Sequence, residues 1–229
     1  MALIELHNVS KVYRLGNQKV PALTDINLKV EAGAFAVLAG PSGSGKTTAL
    51  NLIGCLDHPT SGQVIVSGLD LGQSSNRQLA DFRLQNIGFI FQSYNLIPVL
   101  TAAENAEFTL MLQKVPHSVR RQKVLALFAE LGIDGLEQRK PADLSGGQQQ
   151  RVAIARAMAA DPRVILADEP TANLDSHTAE GLLDLMRRLN WEKGTTFIFS
   201  SHDERVIERA KRVIHLQDGH ITADDTVPS

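Results

Sequence analysis

Short apolar runs separated by polar and helical stretches dominate the pattern of this chain. Leu3–Asn8 alternates apolar and polar residues, and Val20–Val30 does so more loosely, which predicts an antiparallel β layer. Further short strands are predicted at Phe35–Ala39, Gln63–Val66, Ile87–Phe91, Val164–Ala167, Thr195–Ser200 and Val213–Leu216. In the second half of the chain they alternate with helical stretches, which predicts a parallel sheet with covered faces.

Helical periodicity occupies the stretches between the later strands. From about Thr101 to Leu131 it is continuous apart from breaks near Pro116 and Gly132, which predicts a helical insert. Thr222–Ser229 is expected to be a polar tail that leaves no room for a regulatory domain. The other predicted helices are Gln148–Ala160, Ser176–Trp191 and Asp203–Ala210.

These elements predict an α/β fold with a mixed, mainly parallel sheet core, an N-terminal antiparallel β-layer and an inserted helical subdomain. We expect one domain over residues 1–229. Residues 1–92 and 161–229 would form the core and β-layer, and about 93–160 the helical subdomain.

Composition narrows the class of protein. A chain of 229 residues with 43% hydrophobic residues can build one large core with a small subdomain. The net charge of −2 disfavours DNA or RNA as a partner, because no basic surplus is available for counterion release. No apolar run approaches the roughly 18 residues of a membrane span and the start is not a signal peptide, so a cytoplasmic chain is expected.

Cysteine and histidine contribute little chemistry. Cys55 is the single cysteine, which excludes an internal disulfide framework. It is expected to be a small core residue, with a nucleophile as the alternative. The seven histidines are scattered without an i, i+4 pair, so a transition-metal site has no support.

One glycine-rich loop carries the first chemical signal. It fits the phosphate-binding pattern of Gly, four residues, Gly, Lys and Ser/Thr, and it lies between a predicted strand and a predicted helix. The glycines clear space for backbone N–H groups, Lys46 supplies a charge between phosphates and Thr47 offers a hydroxyl to Mg²⁺. A surface Gly/Ser turn is the alternative. The loop consists of Gly40, Pro41, Ser42, Gly43, Ser44, Gly45, Lys46, Thr47 and Thr48.

A second signal follows the strand Val164–Ala167, which ends in Asp168 and Glu169. The carboxyl end of a strand is where an α/β sheet presents groups to a ligand. Asp168 is the candidate partner of Mg²⁺ through bound water, and Glu169 the candidate group that orients or deprotonates the attacking water.

A third signal is Leu144-Ser-Gly-Gly-Gln148, which opens a predicted helix. A serine N-cap followed by glycines places N–H groups at a positive helix end, so the stretch predicts a second anion site formed by Ser145, Gly146, Gly147 and Gln148. An ordinary capped helix is the alternative.

Together these residues resemble the ATP-binding cassette of ABC transporters, a P-loop NTPase fold. Leu144–Gln148 matches the signature of that family in full and lies shortly before the Asp168-Glu169 strand, as the family requires. The resemblance runs from Leu3 to Leu216. It implies that the helical subdomain carries the signature and that the chain hydrolyses ATP with Mg²⁺.

Further positions take roles from the resemblance. Tyr13 resembles the aromatic residue that stacks on adenine, and Gln92 the glutamine that reaches Mg²⁺ and the attacking water. Residues 172–175 resemble the loop that crosses between subunits, and His202 the histidine that contacts the γ-phosphate. Without the resemblance, His202 would be a capping or core histidine. Ala167 and Asn173 depart mildly from the family pattern without removing a catalytic group.

The resemblance also implies two partners. The signature of one copy closes over the ATP held by another, which gives a head-to-tail homodimer. A separate integral membrane permease, contacted near Leu96–Leu100, would place the chain at the cytoplasmic side of the inner membrane. That segment is too apolar for a fully exposed loop, although packing against its own subdomain is the alternative. The basic run Arg120, Arg121 and Lys123 is expected to form a solvated helix face.

The residues around Gln92 and Asp168 are most similar to the subgroup that serves lipoprotein release, macrolide efflux and the cell-division complex. The resemblance thus implies a motor for lipoprotein release or mechanically driven export. The alternatives are an importer motor for amino acids or ions, and a cell-division ATPase that does not transport. A small-molecule phosphotransferase would share Gly40–Thr48 but has no use for Leu144–Gln148.

Overall fold

The structure is a computed structural model that describes residues 2–226, and the chain divides into two units. The first unit runs to Arg83 and resumes at Thr196, and the second is Leu84–Thr195. The division expected from the sequence, into a core and a helical subdomain at about 93–160, stays a prediction.

Ten strands and seven α-helices lie in the described part of the chain. The strands are β1 (Ala2–Leu15), β2 (Gln18–Glu31), β3 (Phe35–Ala39), β4 (Ser61–Val66), β5 (Leu69–Asp70), β6 (Ile87–Ile90), β7 (Val164–Asp168), β8 (Thr196–Ser201), β9 (Arg212–Gln217) and β10 (His220–Thr226). The helices are α1 (Lys46–Ile53), α2 (Asn76–Asn86), α3 (Ala102–Leu112), α4 (His117–Glu130), α5 (Gly146–Met158), α6 (Ser176–Lys193) and α7 (Glu204–Arg209).

The first unit contains two strand layers. β1 pairs antiparallel with both β2 and β4 in a sheet of order β2-β1-β4-β5. This sheet is the antiparallel layer that the alternation of Leu3–Asn8 and Val20–Val30 predicts, and the prediction is confirmed. The other strands follow the order β10-β9-β3-β8, with β3 parallel to β8 and β9.

A cluster of phenylalanine rings forms the centre of the parallel strands. Phe35 on β3 lies 4.7 Å from Phe199 and 5.8 Å from Phe197, both on β8, measured between ring centroids. All five residues of β3 are buried, as in a strand covered on both faces. Burying rings of this size contributes about 2 kcal/mol or more each, so the strand that leads into the phosphate loop is firmly held.

The second unit consists of the parallel pair β6 and β7 with helices α3 to α6. α5 packs closely against β6, because a Cβ atom on Gly88 would lie 2.5 Å from the carbonyl oxygen of Ala157. Only glycine permits that approach. Val152, Ala153 and Ile154 of α5 are fully buried, so the helix that begins at the signature is part of the core of this unit.

Three expectations need correction. Helix α2 was not predicted, because Leu79 is its only buried residue among the described ones and its sequence lacks an apolar stripe. Up to Thr226, the predicted polar tail is a strand, β10, that pairs with β9. The sequence did not indicate this strand, because β10 is exposed almost throughout and therefore lacks the alternation of apolar and polar residues. Residues 227–229 lie outside the described part. Arg120 and Arg121 do not form a solvated face, since both are half-buried and bind the buried Glu107.

Candidate nucleotide-binding site

The glycine-rich loop joins β3 to α1 with a backbone that side chains would not permit. Gly43 has a φ of 80° and Gly45, the N-cap residue of α1, a φ of 105°. A Cβ atom on Gly45 would lie 2.6 Å from the carbonyl oxygen of Ala22, so the loop cannot move aside to accept one. No side chain caps the start of α1. The helix end is therefore shaped by glycine rather than closed by a capping group.

Lys46 and Ser44 point to what this cradle holds. The Lys46 ammonium donates to the carbonyl oxygens of Gly40 at 2.7 Å and Pro41 at 2.9 Å, which folds the side chain over the loop. The hydroxyl of Ser44 is buried and finds no hydrogen-bond partner among residues 2–226. An orphaned hydroxyl beside an ammonium and an uncapped helix end fits a ligand rich in acceptor oxygens, as a nucleotide's phosphates are.

His202 reaches the same sheet edge as the cradle. Ala39, the last residue of β3, pairs with Ser201, the last residue of β8. Gly40 and His202 come next in each strand, so the expectation that His202 follows a strand edge is confirmed. Asp203 then accepts from the N–H of Arg205 at 3.0 Å as the N-cap of α7, which fixes the chain directly after the histidine.

Tyr13 on β1 is tied to the helix that follows the loop. Its phenol donates to Asp57 at 3.0 Å and also hydrogen-bonds with the side chain of Thr48 on α1. The ring is only half-buried. A flat, partly exposed aromatic surface therefore lies next to the cradle, as a base-stacking residue requires.

The carboxylates of the second unit share an edge with Gln92. Ile90 of β6 pairs with Ala167 of β7 in a parallel register, so Gln92 and the pair Asp168-Glu169 leave the strands on the same side. Glu169 has a φ of 46°, a left-handed conformation that is uncommon outside glycine and occurs at active sites.

Gln150 of α5 lies behind this edge. Its amide nitrogen donates to the carbonyl oxygen of Pro170 at 2.7 Å, directly after Glu169, and the side chain is fully buried. The bond anchors the backbone next to the left-handed residue. The signature helix thus helps to place the carboxylate of Glu169.

The segment that follows Gln92 is clamped by two side chains from elsewhere in the unit. Asn173 donates to the carbonyl oxygen of Gln92 at 2.8 Å. Arg156 on α5 donates to the carbonyl oxygens of Tyr94 at 2.8 Å and Asn95 at 2.5 Å. Burial lowers the pKa of Arg156, which reflects the cost of holding this cation away from water. Signature helix, crossing loop and Gln92 segment are therefore connected by hydrogen bonds.

The signature closes its own helix end. The Ser145 hydroxyl accepts from the N–H of Gln148 at 3.3 Å, and the Gln148 side chain accepts from the N–H of Ser145 at 2.9 Å. This is a capping box. A Cβ atom would lie 2.9 Å from the Tyr94 hydroxyl if placed on Gly146, and 2.6 Å from Thr178 Cγ2 if placed on Gly147. A side chain at either position would therefore have to displace Tyr94 or Thr178.

An open pocket lies over this helix end. It has a volume of about 530 Å³ and is formed entirely within the second unit. The α5 end lies on one side, and the crossing loop with the start of α6 lies on the other. The lining residues are Ser145, Gly146, Gly147, Gln148, Arg151, Asn173, Leu174, Asp175, His177, Thr178 and Gly181.

The predicted site residues therefore form two groups. Tyr13, the loop at residues 40–48 and His202 belong to the first unit, and Gln92, Asp168, Glu169 and residues 145–148 to the second. Oxygen donors of the kind Mg²⁺ prefers are present as the Thr47 hydroxyl, the Gln92 amide and the Asp168 carboxylate. No group of three histidine, cysteine or acidic residues within residues 2–226 is arranged to hold a metal ion by itself.

Comparison with known proteins identifies the family of the chain. A family model described as ABC transporter matches residues 23–172. The chain belongs to the ABC transporter family. YvrO of Bacillus subtilis, an uncharacterized ABC transporter ATP-binding protein, is 44% identical over 223 residues, which cover 97% of each chain.

Two further relatives show how the family uses the cassette. The dimeric post-hydrolysis structure of the cassette MJ0796, a protein of Methanocaldococcus jannaschii, is bound to ADP and Pi. It superimposes with a TM-score of 0.91 at 41% identity over 99% of both chains. The macrolide export ATP-binding/permease protein MacB of Hyphomonas neptunium is 46% identical over 222 residues, which span 97% of this chain but 34% of MacB.

These likenesses confirm the predicted fold class and activity. The chain has the ABC ATPase fold, binds and hydrolyses ATP, and is the motor of a transporter complex. No helix within residues 2–226 is both long enough and apolar enough to cross a membrane.

Sequence reasoning missed the residues that hold the motifs in place. Asp57, Gln150 and Arg156 gave no signal, because their partners lie far away along the chain. Asn173 was predicted to lie in the crossing loop and to depart from the family pattern, but the hydrogen bond from its amide to Gln92 was not predicted.

Proposed function

We propose that two copies of this ATPase bind two ATP molecules head to tail, with the phosphate loop of one copy facing the signature of the other. The pocket over the start of α5 carries this proposal. It is open, it presents a helix N-terminus, and the lysine that binds phosphate is not among its lining residues. Such a pocket is half of a site, and the dimeric structures of the related MJ0796 cassette support its completion by a second copy.

Within each site we assign the phosphates to residues 40–48, with Lys46 as the point charge, and the base to Tyr13. Thr47, Gln92 and Asp168 would hold Mg²⁺, whose chemistry is to neutralise charge on the phosphate oxygens. Ser145, Gly146, Gly147 and Gln148 of the facing copy would contact the γ-phosphate from the other side.

Glu169 and His202 complete the assignment. The Glu169 carboxylate orients the attacking water and accepts its proton, and the left-handed backbone at that residue directs it away from the strand. His202 donates a hydrogen bond to the γ-phosphate, and Gln92 contacts the attacking water. Hydrolysis then opens the dimer, because ATP, which joined the two copies, has been converted to ADP and phosphate.

The substitution Glu169→Gln tests this assembly. It keeps the shape of the side chain but removes the base, so turnover should fall at least about 100-fold while ATP binding persists. The variant should then run as a dimer with Mg²⁺ and ATP and as a monomer with ADP in size-exclusion chromatography. Glu192→Gln, on the exposed end of α6, is the matched control. Wild-type turnover in Glu169→Gln, or an ATP complex that stays monomeric, would contradict the proposal.

We further propose that the segment Leu96–Leu100 and an adjoining groove receive an integral membrane permease. The groove has a volume of about 510 Å³ and is lined in part by Leu100, Phe108 and Met111. Val99 is 74% exposed and Met111 46%, so an apolar surface is open to solvent here. The relative MacB, which contains a cassette and a permease in one chain, supports a permease segment as the occupant.

The substitution Val99→Asp tests this contact. Because the Val99 side chain is mostly exposed, its replacement should leave the fold intact. The variant should nevertheless no longer co-purify with the permease from detergent-solubilised membranes. Leu15→Asp is the control, because Leu15 is equally apolar and 69% exposed on β1. Equal permease recovery by both variants would refute the contact.

The work that the motor drives is proposed from two likenesses: the residues around Gln92 and Asp168 resemble the subgroup that serves lipoprotein release, macrolide efflux and the cell-division complex, and the relative MacB is a macrolide export protein. Lipoprotein release or mechanically driven export fits a motor of this kind, placed at the cytoplasmic side of the inner membrane. Identifying the co-purified permease by mass spectrometry tests this. A permease with few spans and a large extracytoplasmic domain is expected, whereas one with many spans and no such domain would favour an importer.

A further inference from the structure

The aromatic ring next to the phosphate loop is held by a cluster of charged and polar side chains. The Tyr13 hydroxyl donates to Asp57 Oδ2 at 3.0 Å. The other carboxylate oxygen of Asp57 accepts from the Lys11 ammonium at 2.6 Å. The same ammonium lies over the Tyr13 ring, 4.9 Å from its centroid. We call Lys11, Asp57 and Thr48 the tyrosine clamp.

The clamp is itself anchored. Asp57 Oδ1 also accepts from the N–H of His58 at 2.7 Å, and Lys11 also donates to the His58 carbonyl oxygen at 2.8 Å. Only 12% of the Lys11 side chain and 29% of the Asp57 side chain are exposed. Burial acts to raise the pKa of Asp57, but the hydrogen bonds from Lys11, His58 and Tyr13 outweigh it and hold the pKa below its ordinary value. The carboxylate is thus a fixed anionic acceptor.

The clamp also ties the ring to the phosphate loop. The side chain of Thr48, in the first turn of α1, also interacts with the Tyr13 phenol. The phenol therefore contacts side chains of both Asp57 and α1, which restricts the motion of the ring. Burial and the Asp57 hydrogen bond raise the pKa of Tyr13, and its proton stays in place to make the bond.

Lys11 and Tyr13 are two residues apart on β1, so their side chains point to the same face of the strand. The ammonium over one face of the ring leaves the opposite face for a flat ligand. The Tyr13 hydroxyl is thus held by hydrogen bonds and one face of its ring is covered by Lys11. The open face is therefore positioned for stacking before a ligand binds.

We propose that Asp57 and Lys11 are positioning residues for the nucleotide base, which hold the Tyr13 ring at the angle and distance where a purine stacks on its open face. The inference rests on the proposed function of Tyr13. Stacking uses the π-face that every base has, so the clamp acts on ATP and GTP alike. Asp57 and Lys11 have no part in holding the phosphates.

The test compares ligands with and without a base. Isothermal titration gives the dissociation constants of ATP, GTP and inorganic tripolyphosphate for the wild type, Asp57→Asn and Tyr13→Phe. Asp57→Asn removes the charge to which the phenol and Lys11 are bonded, and Tyr13→Phe removes the hydroxyl, so we expect ATP and GTP to bind about fivefold more weakly, the effect of one such bond. Tripolyphosphate should bind with an unchanged constant.

The control is Asp70→Asn. Asp70 is another carboxylate of the first unit that accepts several hydrogen bonds, from Gly72, Gln63 and Gln73. It should change none of the three constants. If Asp57→Asn weakens tripolyphosphate as much as ATP, the carboxylate merely supports the fold and the proposal is wrong.

A double variant separates positioning from structure. If Asp57 acts through the phenol, Asp57→Asn in a Tyr13→Phe background should weaken ATP binding by no further factor. Fully additive losses would overturn the proposal. Should Asp57→Asn fold poorly, Tyr13→Phe alone still decides, because an unchanged ATP constant in that variant also refutes the clamp.

Tyr13→Ala distinguishes this failure from failure of the base assignment. Unchanged ATP binding in Tyr13→Ala would remove Tyr13 from the site and the clamp with it. Weakened ATP binding in Tyr13→Ala, together with wild-type binding in Tyr13→Phe and Asp57→Asn, would keep the stacking residue and reject only the clamp.

Discussion

Two glycine-rich helix starts in this chain look alike in sequence and differ in construction. The start of α1 has glycine at its N-cap with no side-chain cap, and Lys46 folds over the loop. The start of α5 has a complete capping box between Ser145 and Gln148. The start of α1 thus combines uncapped backbone N–H groups with a cation from the same loop. The start of α5 has its end capped by its own side chains and has no such cation among residues 144–148.

The glycines differ in the same way. Gly45 is required by its left-handed backbone and by the approach of Ala22. Gly146 and Gly147 instead lie against side chains, those of Tyr94 in the segment after Gln92 and of Thr178 in the first turn of α6. The α1 end therefore suits the phosphate-binding role that we propose for it, whereas the α5 end lines an open pocket and also packs against other parts of its own unit.

The largest expected difference between the two helix starts follows from removing the Lys46 ammonium. We expect Lys46→Ala to abolish measurable ATP binding by the monomer, because the cradle loses the charge that lies between the phosphates. Ser145→Ala should leave that affinity unchanged and lower steady-state turnover about 100-fold, the usual effect of losing one donor to the transition state. Titration at low protein concentration and phosphate release measure the two effects. Equal losses of affinity would show that the two ends work in the same way.

Gly147 is expected to serve both the packing of α5 against Thr178 and the binding of ATP. Gly147→Ala should lower the free energy of unfolding by about 1–3 kcal/mol through contact with Thr178 Cγ2. Thr178→Ser removes that methyl group and keeps the hydroxyl that bonds to Asp175. The double variant should therefore recover stability in urea but not ATP turnover. Recovery of both would mean that glycine is needed here only for packing, and Thr178→Ser alone is the control.

A smaller effect tests the junction itself. Arg156→Lys cannot reach both carbonyl oxygens of Tyr94 and Asn95, so stability should fall by about 2 kcal/mol, the value of hydrogen bonds to a charged group. Arg188→Lys is the matched control, since Arg188 donates to the Glu130 carbonyl oxygen from an exposed position. Equal urea midpoints for the two variants would contradict the role given to Arg156.

The smallest effect concerns the wall of the α5 pocket. The hydrogen bonds from Thr178 lower the pKa of Asp175, the N-cap of α6, below its ordinary value of 3.8. Because the folded pKa is depressed, its stabilising effect is present above pH 3.8 and disappears as the pH falls through the folded pKa. Asp175→Ala should melt slightly below the wild type at pH 7 and together with it near about pH 2. An equal gap at both pH values would exclude this origin.

Local order along the chain explains why the fold was largely predictable. A buried strand, a glycine loop and a helix are consecutive at residues 35–53, and the parallel strands carry short apolar runs. Where side-chain pattern is absent, prediction fails. α2 has one buried residue among those described, and β10 is exposed almost throughout, so neither has the periodicity from which a helix or strand is recognised.

By itself, the sequence determined which residues are candidates for the nucleotide site: Lys46 and Thr47, the Asp168-Glu169 pair and the signature at residues 144–148. These motifs are contiguous, and their spacing follows from strand, turn and helix geometry. Only the tertiary structure decided what holds them. Asp57 is 44 residues from Tyr13 and Asn173 is 81 from Gln92, and contacts at such separations exist only once the sheet registers have formed. The side chains that position the site are therefore identified only by the tertiary structure and not by any local sequence pattern.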